Sequence, residues 1–280
     1  MTAVYDHSSY RVPESPELQA LTARADMLRA RVDAARAARP DLWPVVQEKM
    51  KISWTADSNA LEGSSLSFGD TLFFLKEGLT VQGKPLKDFL DARNHADAIE
   101  FLFDVVATRR DITEGVLKEL NAMLLAGVKR TPAIGGQGHR IEKPAAPGEY
   151  KRLPNHVLQS DGEIHHYSDP IHVPVEMSAL CQWIAEQEGV IHPALVATVA
   201  HYNMVRIHPF DDGNGRGARI LMNLILLRAG FPPAVVRNED RAAYLSALRQ
   251  ADTGSFGAFA HFTLSALIAT EERILHDLEA

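Results

Sequence analysis

The chain of 280 residues is long enough to bury a proper core, as one large domain or two modest ones, and its 46% hydrophobic, 23% charged and 7% aromatic make-up excludes wholesale disorder. With 29 Lys and Arg against 36 Asp and Glu the formal charge is -7 at pH 7, so no global field draws the chain to nucleic acid. The single cysteine, Cys181, excludes an internal disulfide, a zinc knuckle or a redox pair, while Met1 to Arg11 lacks a secretory signal and no apolar run is long enough to cross a bilayer. The expectation is a cytoplasmic chain with no membrane anchor and no nucleic-acid partner.

Leu18, Leu21, Ala25, Leu28, Val32 and Ala35 fall at spacings of three and four, which predicts a first helix over Pro16 to Ala38. Its stripe is too short for a convincing coiled coil, so packing on the chain's own core is the expected use, with a homodimer left open. A second helix is predicted from Trp43 through Leu61, stopped by Gly63 in the left-handed conformation, so that Glu62 sits at a helix tip. Further helices are predicted over Gly69 to Gly78, Leu86 to Arg109 and Thr113 to Gly127. Lys129 to Arg152, rich in Gly and Pro, reads as a long functional loop. Leu153 to Gln159 and Glu163 to Tyr167, joined through Ser160-Asp161-Gly162, form the one hairpin signal. Helices resume at Pro174 to Glu188, Pro193 to Ile207, Arg216 to Ala229, Asp240 to Ala251 and Ser255 to Leu278. The expected class is therefore all-α with a single β-hairpin attached.

The densest polar segment is His208-Pro209-Phe210-Asp211-Asp212-Gly213-Asn214-Gly215-Arg216-Gly217-Ala218-Arg219, lying between two apolar helices. Pro209 disfavours right-handed helical geometry at His208, which should end the first helix and leave the imidazole projecting, placed to exchange a proton. Gly213, Asn214 and Gly215 let the backbone curl its N–H groups into an anion-holding nest directly before a helix N-terminus. Arg216 and Arg219, three apart, put two guanidinium forks on one side, which suits a polyphosphate. Asp212 adds a carboxylate suited to Mg²⁺, a hard ion that takes few protein ligands. A plain helical turn would use the same glycines for geometry and leave the arginines solvated. The combination of base, nest, acid and two arginines favours chemistry. A zinc site at His201 and His208 lacks the HExxH pattern. Gly78 to Pro85 imitates a phosphate-binding Walker loop, but Pro85 has neither the hydroxyl nor the N–H that the last position needs.

His208 to Arg219 resembles the Fic motif, HPFx(D/E)GNGRxxR, at every fixed position, and the likeness extends over roughly Ile112 to Leu267. The resemblance implies a Fic-type helical bundle occupying 111–280, preceded by a helical extension over 1–110. It further implies a protein adenylyltransferase in which His208 deprotonates a Ser, Thr or Tyr hydroxyl of a target protein, which then attacks the α-phosphorus of ATP. By the same resemblance Asp212 holds Mg²⁺, Gly213, Asn214 and Gly215 cradle phosphate, and Arg216 and Arg219 face the β and γ phosphates. The hairpin at about 150–168 would be a target-docking flap, with Asn155, His156, Val157 and Leu158 on its leading strand. Asn121, where relatives often carry histidine, reads as a departure outside the reacting site.

Ser58-Asn59-Ala60-Leu61-Glu62-Gly63 is similar to the family's inhibitory pattern, (S/T)xxxE(G/N), so the resemblance implies that Ser58, Glu62 and Gly63 restrain the enzyme, Glu62 by pairing with Arg219. In isolation a Glu before a helix-ending Gly is a solvated tip residue. The rival functions are another Fic-type transfer (UMP or phosphate), removal of AMP, and a nucleotide-sensing interaction protein that does not turn over.

Overall fold

The computed structural model describes residues 7–134, 140–155, 157–158 and 164–279. Helix α1 (Pro16–Ala38) starts where Ser15 accepts a hydrogen bond from the Leu18 N–H and Pro16 fills a first-turn position with no intrahelical acceptor to lose. Its stripe of Leu18, Ala25, Leu28 and Val32 is buried against the last helix, α10 (Phe256–Glu279), so this face is used within the chain. Helix α2 (Trp43–Leu61) ends at Glu62, with Gly63 at φ 95° as the pattern predicts. A Ser67/Asp70 capping box opens α3 (Phe68–Glu77), and α4 (Leu86–Ala107) and α5 (Glu114–Leu124) follow.

The middle of the chain departs from expectation. Within the stretch read as loop, β1 (Arg130–Ile134) pairs antiparallel with β2 (Arg140–Pro144), Arg130 opposite Pro144 and Ile134 opposite Arg140. Pro132 misled the sequence reading, yet a two-stranded ribbon has a free edge on each strand, where the missing N–H of proline costs no ladder bond. The expected hairpin is the second ribbon, β3 (Val157–Leu158) with β4 (Ile164–His165), shorter in its described part than the predicted runs. Among the described residues, two ribbons rather than one are thus attached to the helical body.

Helices α6 (Val173–Gln187), α7 (Pro193–Ile207), α8 (Asn214–Arg228) and α9 (Arg241–Asp252) complete the fold. Helices α7 and α8 are buried almost all round, the signature of central rather than surface helices, and α2, α4, α5, α6 and α10 pack about them. The polar segment is therefore the turn of the central helical hairpin, held between the deepest helices of the molecule. Among the described residues, no helix is long and apolar enough to cross a membrane.

Leu102 on α4 is fully buried, whereas Leu86 at the start of the same helix is 77% exposed. Leu102→Ala should lower the unfolding free energy by about 2–5 kcal/mol in urea titration, and Leu86→Ala should stay within about 0.5 kcal/mol of the parent.

Candidate functional site

Helix α7 stops at Ile207, and His208 follows at φ 51°, ψ 59°. A non-glycine residue held in the left-handed region costs about 1–2 kcal/mol, and the surroundings must enforce it. They do so from both sides: the His208 N–H donates to the Met204 carbonyl at 3.0 Å, and the Lys151 N–H donates to the Pro209 carbonyl at 2.8 Å. Phe210, buried, plugs the loop into the core. Asn214 then bridges the turn, its Oδ1 accepting from the Phe210 N–H at 2.9 Å and its Nδ2 donating to the Phe210 carbonyl at 2.7 Å. Asn155, from the segment leading into the flap, donates to the same carbonyl at 2.8 Å.

Asn121 is no departure outside the site. It is buried on α5, its Nδ2 donates to the Asp212 carbonyl at 2.9 Å, and its Oδ1 accepts from the Gly148 N–H at 3.0 Å. One amide thus fixes the polar loop to the segment before the flap. Gly213 sits against it at φ 79°, where a Cβ would meet Asn121 Nδ2 at 3.2 Å, so glycine is required for both conformation and space.

Of the two adjacent acids, Asp211 is taken by Lys143 of β2 at 2.5 Å. Asp212 Oδ1 accepts from the Gly213 N–H at 2.6 Å, and its side chain is 30% exposed, with Arg216 Nη2 at 3.8 Å. The N–H groups of the first turn of α8 have no intrahelical acceptor and carry the positive end of the helix dipole, so the nest expected at Gly213, Asn214 and Gly215 lies beside this acid.

The two arginines part company. Arg219, 2% exposed, donates from Nε to Ser58 Oγ at 3.0 Å and from Nη2 to the Ser58 carbonyl at 2.9 Å and Glu62 Oε1 at 2.8 Å. Tyr244 of α9 also hydrogen-bonds it, and the Tyr244 hydroxyl reaches buried His201 Nε2 at 3.0 Å. The Glu62 contact is a single hydrogen bond rather than a two-pronged one, made from the Nη2 that also serves the Ser58 carbonyl, while Nε is taken by the Ser58 hydroxyl. Burial works to raise the Glu62 pKa, but the charges of Arg219, Arg216 and Arg241 outweigh it and hold the carboxyl below its usual range. Glu62 also lies directly over Gly215, where any Cβ would strike its Oε1. The Glu62 carboxylate therefore rests on the first turn of α8. A Cβ at Gly63 would meet nothing within 4 Å, and its positive φ serves to end α2.

Arg216 reaches towards the N-terminal part of the chain, with Nη1 on Asp91 Oδ1 of α4 at 2.9 Å.

Above His208 lies the flap. Tyr167, after β4, stacks on the imidazole with ring centroids 3.7 Å apart, so the ring does not project freely as the sequence suggests. Burial, with Lys151 nearby, pushes His208 down to about 3, and burial lifts Tyr167 to about 12. Lys151 itself, desolvated, falls to about 8. Val157 and Leu158 form β3, paired with His165 and Ile164; His156 lies outside the described residues. Asp91, Asn121, Lys151, Tyr167 and Tyr244 are the residues that sequence reasoning missed. A readable signal existed for the first: Asp88, Asp91 and His95 form a polar row at helical spacing on a helix whose other positions fill the core.

Because burial is the leading cause of His208's depressed basicity, Tyr167→Ala should raise its pKa toward 6.5, followed by the imidazole proton shifts in NMR titration. The linkage sign is fixed. Between about pH 6.5 and 3 the unfolded chain binds a proton at this histidine that the folded chain does not, so folding stability from this group falls as pH drops through that window. Tyr167→Ala should flatten that slope in acid denaturation.

Residues 111–226 match the Fic/DOC family. A protein adenylyltransferase Fic of Nematostella vectensis is 31% identical over 207 residues, which cover 73% of this chain and 44% of that protein; the chain thus spans less than half the length of this curated relative. A Fic domain containing signaling protein from Bacteroides thetaiotaomicron superposes with a TM-score of 0.80 at 28% identity, over 91% of this chain and 97% of that one. A Fic family protein from Desulfovibrio desulfuricans G20, 24% identical, shares the fold with a TM-score of 0.75 over 93% of this chain and 74% of its own.

Proposed function

Because residues 111–226 are a Fic-family domain, we propose that this protein transfers AMP from ATP to a Ser, Thr or Tyr hydroxyl of a protein, and that α2 restrains it through Glu62. The observation that carries the reading is the buried Arg219 fork, held by Ser58 and Glu62 from a helix more than 150 residues away, with the Glu62 carboxylate resting over Gly215 where a phosphate would sit. An acid in that place competes for the same donors as an anionic substrate and repels it.

On this reading the target hydroxyl oxygen attacks the α-phosphorus in line, its proton passes to the imidazole of His208, and pyrophosphate leaves with its charge met by the nest, Arg216 and Arg219. Asp212 is the acid with capacity left to hold Mg²⁺, since Asp211 is paired with Lys143; magnesium held there would offset phosphate charge. An imidazole pushed down to about 3 is neutral at pH 7 but a weak base. Entry of a target segment along the flap, displacing Tyr167 from the ring, restores its basicity when the substrate arrives. The first 110 residues act as the regulatory extension, and the flap residues Asn155 to Leu158 as the docking edge.

Glu62→Gly should raise AMP transfer from ATP, including onto the protein itself, by about tenfold, the gain appropriate to one charge-assisted hydrogen bond of about 1.5 kcal/mol to a half-exposed carboxylate. Mass spectrometry of the intact protein after incubation with ATP and Mg²⁺ reads the added AMP. His208→Ala in the Glu62→Gly background should abolish that addition while leaving ATP binding in place. Arg219→Ala should cancel the gain from Glu62→Gly. A gain that survives the loss of Arg219 would break the proposed restraint.

A further inference from the structure

Helix α4 lies outside residues 111–226, yet its buried face carries a row of polar side chains aimed at the elements around the site. Asp88 accepts from the N–H and the hydroxyl of Ser65, both at 2.7 Å, and so fixes the segment that follows Glu62. Asp91, 6% exposed, takes Arg216 Nη1 on one carboxylate oxygen and Lys87 on the other. His95 Nδ1 meets Thr55 Oγ1 of α2 at 3.2 Å, and burial holds this imidazole neutral.

The charge balance at Arg216 is informative. Its side chain is 4% exposed, so water cannot satisfy it. Nη1 is spent on Asp91, and Nη2 faces the loop acid Asp212 at 3.8 Å, too long for a hydrogen bond. Nε is buried with no hydrogen-bond partner among the described residues. A planar fork anchored at one corner has its other donors fixed in direction. These donors are unspent, and the neighbouring nest is where an anion would be held.

We propose that Asp91 is a positioning residue for the transfer reaction: it holds the Arg216 fork so that the donors left unspent point to the departing phosphate groups. The inference rests on the AMP-transfer reading. A fork that is loose or shifted by about an ångström forfeits stabilisation in the transition state, where charge builds on the leaving pyrophosphate, by about ten- to a hundredfold in rate. It forfeits little ground-state binding, because removing the Asp91 carboxylate also removes a negative charge near the polyphosphate. Loss should therefore appear in the maximal rate and not in the ATP concentration needed to reach it. Lys87, 63% exposed, is tied to the other oxygen of the same carboxylate and orients it.

The test uses the full chain in the Glu62→Gly background, with self-labelling by radiolabelled ATP measured across ATP concentrations. Asp91→Asn should lower the rate at saturating ATP by about tenfold or more while the half-saturating ATP concentration does not rise. Asp91→Glu keeps the charge, so it folds even if the amide variant does not; it displaces the fork by one methylene and should also lose rate, by a smaller factor. Asp88→Asn is the structural control, since it removes an equally buried carboxylate one turn away that touches Ser65 and no arginine. It should leave the saturated rate of this background within twofold. Equal losses from Asp88→Asn and Asp91→Asn, or a rise in half-saturating ATP without a fall in maximal rate, overturn the assignment. So does retention of the parent rate by both Asp91 variants. A Glu62→Gly parent that adds no AMP overturns the reading beneath it, a result seen before any Asp91 variant is compared.

Discussion

A guanidinium cannot be buried without partners, and the buried charge of Arg219 is the constraint around which the site is arranged. Stripping an ion of water costs several kcal/mol even after the protein relaxes, so the charge must be paired and hydrogen-bonded. Ser58 accepts hydrogen bonds through its hydroxyl and its carbonyl, Tyr244 supplies another contact, and Glu62 adds the compensating charge. Since Ser58 and Glu62 stand one turn apart at the C-terminal end of α2, that helix must dock with its tip over the nest. Gly215 is the matching concession on α8, because any side chain there would collide with the carboxylate. The same buried charge that suits a phosphate is what recruits the carboxylate in its place.

The reacting end is governed by a second constraint, the left-handed backbone at His208. Pro209 removes the option of continuing the helix, and Lys151, Asn155 and Asn121 tie the flanking loop to the segments before the flap and after α5. Those same segments bring Tyr167 onto the imidazole. Shape and basicity of the histidine are therefore coupled: what fixes its position also removes it from water and depresses its pKa.

Helix α4 connects the two ends. Its row of Asp88, Asp91 and His95 touches the segment after Glu62, the first arginine of the motif, and α2, in that order along one face. A helix outside the family-matched residues thus completes the electrostatics of the turn between α7 and α8, so the extension and the site share structural members.

The amino-acid sequence by itself determined the helical elements and the chemistry of the turn. Apolar spacing, Ser15, Ser67 and Thr113 at helix starts, and Gly63 and Gly78 at helix ends act within a few residues, so α1, α2 and α7 begin and end where local patterns place them. The run from His208 to Arg219 is likewise local, and it names base, nest and arginines without reference to the rest of the chain. The first ribbon was hidden because strand pairing depends on a partner as much as on composition, and a proline on a free edge is tolerated where a central one is not. Which way each arginine turns, that Asn121 joins two segments, and that Tyr167 covers the base depend on partners tens to more than a hundred residues away. Only the tertiary structure decides these, because charge burial and ring stacking act through space and leave no period in the sequence.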